Sequence, residues 1–238
     1  MQTLGIDLAS AAEKTAWCLL EWKGSAASVV DLQLGADDEQ LVAAAATADH
    51  VGVDAPLGWP KAFVEMLQQA PRPMTWPGER DALRYRATDH FVKQVTGLWP
   101  LSVSSDLIGV VAMRCRGLMA RLQAVGKPCL EVYPAAALHQ WGIAARGYKG
   151  AKGRPVLSER VDAVAAGAPW LSLGPGHDEL IRGSDDAFDA LLASMAVRAQ
   201  RAGHVLPEHV CPGDVEAEEG WIVLPAPGSL ARLAEDAR

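Results

Sequence analysis

No run of about 18 apolar residues occurs in the chain, so a membrane-spanning helix is excluded. Cysteine is scarce and dispersed: Cys18, Cys115, Cys129 and Cys211 form no C-x-x-C pair. That spacing argues against structural zinc and fits reduced thiols in a cytoplasmic protein. The six histidines are scattered, so none stands out as a general base or zinc ligand. No G-x-S-x-G elbow, no G-x-x-x-x-G-K-[ST] loop and no H-E-x-x-H pair is present, which removes three common catalytic designs. Basic charge is also short. A formal net charge of −7 argues against a salt-driven binder of long nucleic acid. Met1-Gln2-Thr3-Leu4 enters an apolar strand pattern directly, leaving no room for a signal peptide.

What is present is a chain of 238 residues, 50% of them apolar, enough for one substantial packed domain. Its charge is uneven. Arg146, Lys149, Lys152 and Arg154 share a stretch without an acid, whereas the stretch from Glu208 to Glu219 carries no base.

The opening reads as three strands, roughly 3–8, 15–21 and 28–34, separated by turn residues and therefore arranged as a meander. Asp37 or Asp38 caps an alanine-rich helix reaching Ala48, and Val51–Asp54 forms a fourth strand. A right-handed crossover would return that strand parallel to the first. Residues 55–106 break the pattern with Pro56, Pro60, Pro71, Pro73, Pro77 and Pro100, and with Trp59, Trp76 and Trp99. Such aromatics need packing partners, so this is a helical insertion rather than a linker.

A helix over 106–125 leads to a fifth strand, Cys129–Val132, then a short helix after Pro134. Residues 147–154 read as a loop, 155–166 as a helix, 169–177 as a loop and 184–202 as a helix. A short strand over Trp221–Leu224 closes the expected domain at about residue 225, leaving a polar tail over 226–238. The reading is therefore an α/β fold: a mixed five-stranded sheet, flanked by helices, with a Trp/Pro-rich insertion.

Carboxylates recur where they are costly. Asp7 ends the apolar run Leu4-Gly5-Ile6, Asp54 ends Val51-Gly52-Val53, and Glu131 stands inside Cys129-Leu130-Glu131-Val132-Tyr133. Asp186 and Asp189, spaced i, i+3, share one face near the start of a helix. Buried acids need a partner or a cation, so these sets suggest hard divalent metal ions. Each has a plainer reading. Asp7 and Asp54 can cap turns, and Asp185 and Asp186 suit the helix dipole behind Ser184. Asp189 lies too deep for capping. Glu131 is either a ligand or half of an ion pair with an arginine from the insertion. Arg84, Arg86, Thr88, Asp89 and His90 form a polar cluster that is either a solvated face or a phosphate clamp. Tyr148-Lys149 can reach a phosphate or simply cover a surface loop.

The succession of elements resembles a ribonuclease H-like fold. Residue by residue, the chain is similar to the family called domain of unknown function 429, described as predicted ribonuclease H-like nucleases. The matching stretches are Gly5-Ile6-Asp7, Val53-Asp54-Ala55-Pro56-Leu57-Gly58, Arg86-Ala87-Thr88-Asp89, Glu131-Val132-Tyr133-Pro134, Tyr148-Lys149, Asp185-Asp186-Ala187-Phe188-Asp189-Ala190 and Gly220-Trp221-Ile222-Val223.

The resemblance implies a nuclease with Asp7, Asp54, Asp186 and Asp189 as catalytic acids, joined by Glu131 around two Mg²⁺ or Mn²⁺ ions about 3.5–4 Å apart. Arg84, Arg86, Asp89 and Lys149 would meet a nucleotide or a short or single-stranded nucleic acid. Two alternatives share the topology: a phosphotransferase of the actin and sugar-kinase type, and a non-catalytic nucleotide- or protein-binding module.

Overall fold

The structure is a computed structural model and describes residues 1–70, 79–206 and 213–235. Four strands open the chain: β1 (Gln2–Asp7), β2 (Ala16–Lys23), β3 (Ala26–Leu34) and, after helix α1 (Asp38–Thr47), β4 (His50–Asp54). The insertion contributes α2 (Lys61–Gln69), α3 (Arg80–Arg84) and α4 (Ala87–Thr96). Then come α5 (Ile108–Ala124), β5 (Cys129–Val132), α6 (Pro134–Gln140), α7 (Arg154–Gly167), β6 (Leu171–Ser172) and α8 (Pro175–Gly183). The chain continues through α9 (Asp185–Arg201) and α10 (Gly213–Glu219) to β7 (Ile222–Val223).

The described strands form one mixed sheet in the order β6-β3-β2-β1-β4-β5-β7. β1, β2 and β3 make the expected antiparallel meander, and β4 returns parallel to β1. β5 and β7 extend the parallel half. α1 follows from local chemistry: the Asp37 side chain accepts from Gln40 N at 2.9 Å while Gln40 Oε1 accepts from Asp37 N at 2.9 Å. This reciprocal cap satisfies two helix-end donors.

Alternation along the strands sorts the core into two faces. Leu4, Ile6, Val51 and Val53 pack with Leu41, Leu118 and Leu122, so α1 and α5 cover one face. Cys18, Leu20 and Trp22 pack on the other with Leu138, Leu157, Ile181 and the apolar residues of α9. No helix among the described residues is long and apolar enough to cross a membrane.

Four expectations change. The sheet has seven strands rather than five. β7 is the short strand read at Trp221–Leu224, but β6 is new, pairing Leu171 with Ala27 and Ser172 with Ser28. Two residues are too few to show a period of two. The stretch from 169 to 177, read as a loop, thus holds a strand and the start of α8. There Pro175 sits in the first helical turn, where its missing N–H costs nothing.

The third change concerns the polar tail, which is partly core. Leu230, Leu233 and Ala234 are buried, Trp170 Nε1 donates to Leu230 O at 3.1 Å, and Arg198 Nε donates to Leu233 O at 2.6 Å. Polar neighbours mask three apolar residues at i, i+3 and i+4. Fourth, the loop over 147–154 is shorter than read, because α7 already begins at Arg154. Pro71, Pro73, Trp76, Pro77, Glu208 and Cys211 lie outside the described residues, whereas Trp99 stacks on Tyr85 with ring centroids 4.2 Å apart.

Candidate functional site

Parallel pairing of β1 with β4 sets Asp7 directly opposite Asp54 at the C-terminal ends of adjacent strands. The third acid arrives on α9. An ideal Cβ at Gly5 would lie 2.1 Å from Ala190 O and 2.2 Å from Ser194 N, so this helix rests on bare backbone. Gly52, the β4 partner of Gly5, makes a similar gap facing Val197. Ser194 Oγ donates to Thr3 O at 2.8 Å and lies 2.7 Å from Thr3 Oγ1, holding α9 against β1. The close approach carries Asp189, fully buried, to the strand ends. Carboxylate oxygens of Asp7, Asp54 and Asp189 lie within 4.8 Å of one another.

The electrostatics of this group are those of acids short of counter-charge. Asp7 is held well above the ordinary carboxylate range, first by burial and then by Asp54, with Lys149 opposing. Burial pushes Asp54 up to about 6 against the pull of Lys149. Asp7 and Asp54 accept no side-chain or backbone hydrogen bond from the described residues. Asp189 differs. Tyr148 Oη donates to its Oδ1 at 2.8 Å, and Lys149 Nζ is paired with its Oδ2.

A raised acid pKa means that the folded state binds more protons than the unfolded chain between about pH 4 and pH 6. The contribution of Asp54 therefore falls as pH rises through that window. Without metal, the Asp54→Asn variant is expected to be more stable than the parent at pH 7.5, by up to about 3 kcal/mol. The gap should close towards pH 4, as read from urea unfolding midpoints. Equal midpoints at pH 7.5 would mean that burial imposes no such penalty on the Asp54 carboxylate.

The acids open into a cleft of about 460 Å³. Pro100, Leu101 and Ile108 give it an apolar wall, while Arg146 and Lys149 supply cations. Tyr133 also lines it, its hydroxyl pushed up to about 12 chiefly by burial, so it remains an O–H at neutral pH.

The remaining expected site residues are distributed unevenly. Asp186 is half-buried beside the group but outside the converging trio, with its pKa raised by burial and by Asp185. Glu131 lines the cleft wall, yet its oxygens are spoken for: Arg86 Nη2 donates to Oε1 at 2.7 Å, while Arg86 Nη1 at 2.9 Å and Leu57 N at 3.0 Å donate to Oε2. Of the two sequence readings of Glu131, this geometry is the ion pair with an insertion arginine. Asp89 is fully buried on the same guanidinium, so it faces Arg86 rather than the cleft. Arg84, at the end of α3, sits over the Tyr85 ring and is not among the residues lining the cleft.

Arg146 was read only as part of a basic stretch and Tyr133 only as part of a family-like stretch; their place at the cleft, with the apolar wall, was missed because nothing in their spacing marks it. The glycine pair was legible in principle, since each interrupts an apolar strand two residues before an acid.

The family described as Protein of unknown function (DUF429) matches residues 5–217, and the chain belongs to it. That stretch takes in every acid of the group. No curated protein and no solved structure matches the chain.

Proposed function

We propose that this protein is a divalent-metal-dependent phosphodiester hydrolase, a nuclease on a ribonuclease H-like fold, acting on nucleotides or on short or single-stranded nucleic acid. The observation that carries the reading is the convergence of Asp7, Asp54 and Asp189 in an open cleft, two of them without a hydrogen-bond donor among the described residues. A cluster of this kind destabilises the fold unless a cation accompanies it. The donor set fits Mg²⁺ or Mn²⁺, which prefer carboxylate oxygen, and the described residues bring no thiolate or imidazole into the group.

Asp7 and Asp54 would hold the cation, with Asp189 as the third ligand. When bound, such an ion supplies charge stabilisation and a nucleophilic water at neutral pH. The chain's own residues do the rest. Arg146 takes up phosphate oxygens from the side of the cleft. Pro100, Leu101 and Ile108 offer an apolar face to a base or sugar, and Tyr133 offers a neutral O–H donor. The cleft volume falls within the roughly 300–1,000 Å³ of small-ligand sites, which favours a single strand over a duplex. The negative net charge points the same way.

One observation favours the alternative of a binding module without catalysis: both oxygens of Asp189 are already engaged. A panel of labelled DNA and RNA oligonucleotides with Mn²⁺ separates the two. Hydrolysis is expected in the parent protein and should fall about 100- to 1,000-fold in the Asp7→Asn and Asp54→Asn variants. Mn²⁺ binding without cleavage of any substrate would leave the binding module as the function. Cleavage unchanged by either substitution would refute the site.

A further inference from the structure

We infer that Lys149 is an intramolecular stand-in for the metal: its ammonium neutralises the acid group in the metal-free protein, and an arriving divalent cation must displace it. The inference rests on the metal-site reading above and adds a residue that sets how tightly the ion is held.

Three observations carry it. Lys149 Nζ is paired with Asp189 Oδ2, the one oxygen that Tyr148 leaves open. Asp189 also has its carboxylate oxygen within 4.8 Å of those of Asp7 and Asp54, and Lys149 lines the same cleft as all three, so one ammonium serves the whole group. Finally, the side chain is free to leave. It is 55% exposed, whereas its neighbour Tyr148 is buried. Tyr148 is fixed by its bond to Asp189 and by Gly153, where a Cβ would come 2.4 Å from the Tyr148 carbonyl carbon. Gly147 and Gly150 bracket the pair at φ +86° and +71°, values that hold the turn in shape without side-chain strain.

The lysine therefore pivots from a rigid base. Its flexible stem can carry the ammonium from Asp189 into the adjoining cleft, which it also lines and where substrate phosphate would lie. Metal entry and phosphate binding become two ends of one exchange: a +1 charge leaves the acids as a +2 charge arrives, and the released ammonium gains a new anion. Asp189 keeps its Tyr148 hydrogen bond throughout and so stays oriented.

The test is calorimetric titration of Mn²⁺ into the full chain, comparing the parent with Lys149→Met and Lys149→Arg, and with Asp54→Asn as the control for site occupancy. Lys149→Met should bind Mn²⁺ at least tenfold more tightly. Lys149→Arg should resemble the parent, because a cation is retained. In the metal-free state Lys149→Met should melt below the parent at pH 7.5 and show the larger Mn²⁺-induced rise. This second readout requires no turnover and reports whether the variant folds. Equal Mn²⁺ affinity in the parent and Lys149→Met overturns the inference while leaving the metal site intact. Absence of Mn²⁺ binding in both overturns the inference together with the proposed function.

Discussion

Gly5→Ala is expected to lower the melting temperature by roughly 6–12 °C, the equivalent of about 3 kcal/mol of overpacking in a chain of this size. The reason lies in what the added methyl meets. Its nearest neighbours are Ala190 O, Ser194 N and Ala193 C, all backbone atoms of α9. No side chain can rotate away, so the whole helix must move off the sheet. Asp189 moves with it, while Asp7 and Asp54 stay on their strands. On the proposed metal-site reading, Mn²⁺ affinity should therefore fall along with stability, although none of the three acids has been changed.

Gly52→Ala supplies the comparison. Its methyl meets Val197 Cγ2 at 2.4 Å and Val132 Cγ1 at 3.2 Å, both side chains. Adding Val197→Ala should rescue much of the Gly52→Ala defect, whereas no single side-chain truncation should rescue Gly5→Ala. Thermal melts of the four proteins decide the matter. A Gly5→Ala variant melting within about 2 °C of the parent would show that α9 tolerates displacement.

The second large effect belongs to Arg86. Its guanidinium is buried among Glu131, Asp89 and the Glu219 carbonyl, with contacts of 2.7–3.3 Å. The same Glu219 accepts from Lys61 N and Ala87 N through its carboxylate. Arg86 thus ties the insertion to β5 and to the end of α10. Removing it leaves two buried acids facing each other without a cation. Arg86→Met is expected to cost about 3–5 kcal/mol, as measured by urea unfolding. Arg86→Lys should recover only a minor part, because one ammonium cannot serve two carboxylates in the fork geometry. The double variant Arg86→Met/Glu131→Gln should recover more, since it removes one of the stranded charges. A loss below about 1 kcal/mol in Arg86→Met would contradict the assignment of this residue as a buried strut.

How much of this was legible beforehand follows from the type of signal each feature leaves. Asp7 and Asp54 were readable because a charged residue closing an apolar strand is conspicuous, and because the crossover through α1 dictates that the two strands run side by side. Asp189 was readable because capping and the helix dipole cannot explain an acid one turn inside a helix. Its spacing from Asp186 gave a shared face but not depth: Asp186 stays at the half-buried helix start while Asp189 goes under.

Arg86 and Asp89 gave a polar cluster without an address, since only tertiary packing decides whether a guanidinium meets solvent, phosphate or two buried acids. The role of Tyr148 as a donor to Asp189, the two-residue strand β6 and the buried tail residues were not legible. Each depends on contacts between segments distant in sequence, and none has a periodicity long enough to register.

The pairing of Asp7 with Asp54 across a parallel ladder has one more consequence. The spacing of these two carboxylates is set by main-chain hydrogen bonding, which is indifferent to side-chain identity elsewhere. The surfaces that would choose a substrate come from other places: Pro100 and Leu101 from the insertion, Arg146 and Lys149 from the turn before α7. The acid floor and the cleft walls are thus encoded in separate parts of the chain. Substitutions at Pro100 or Leu101 can therefore reshape the cleft wall without touching the ladder that spaces the two acids.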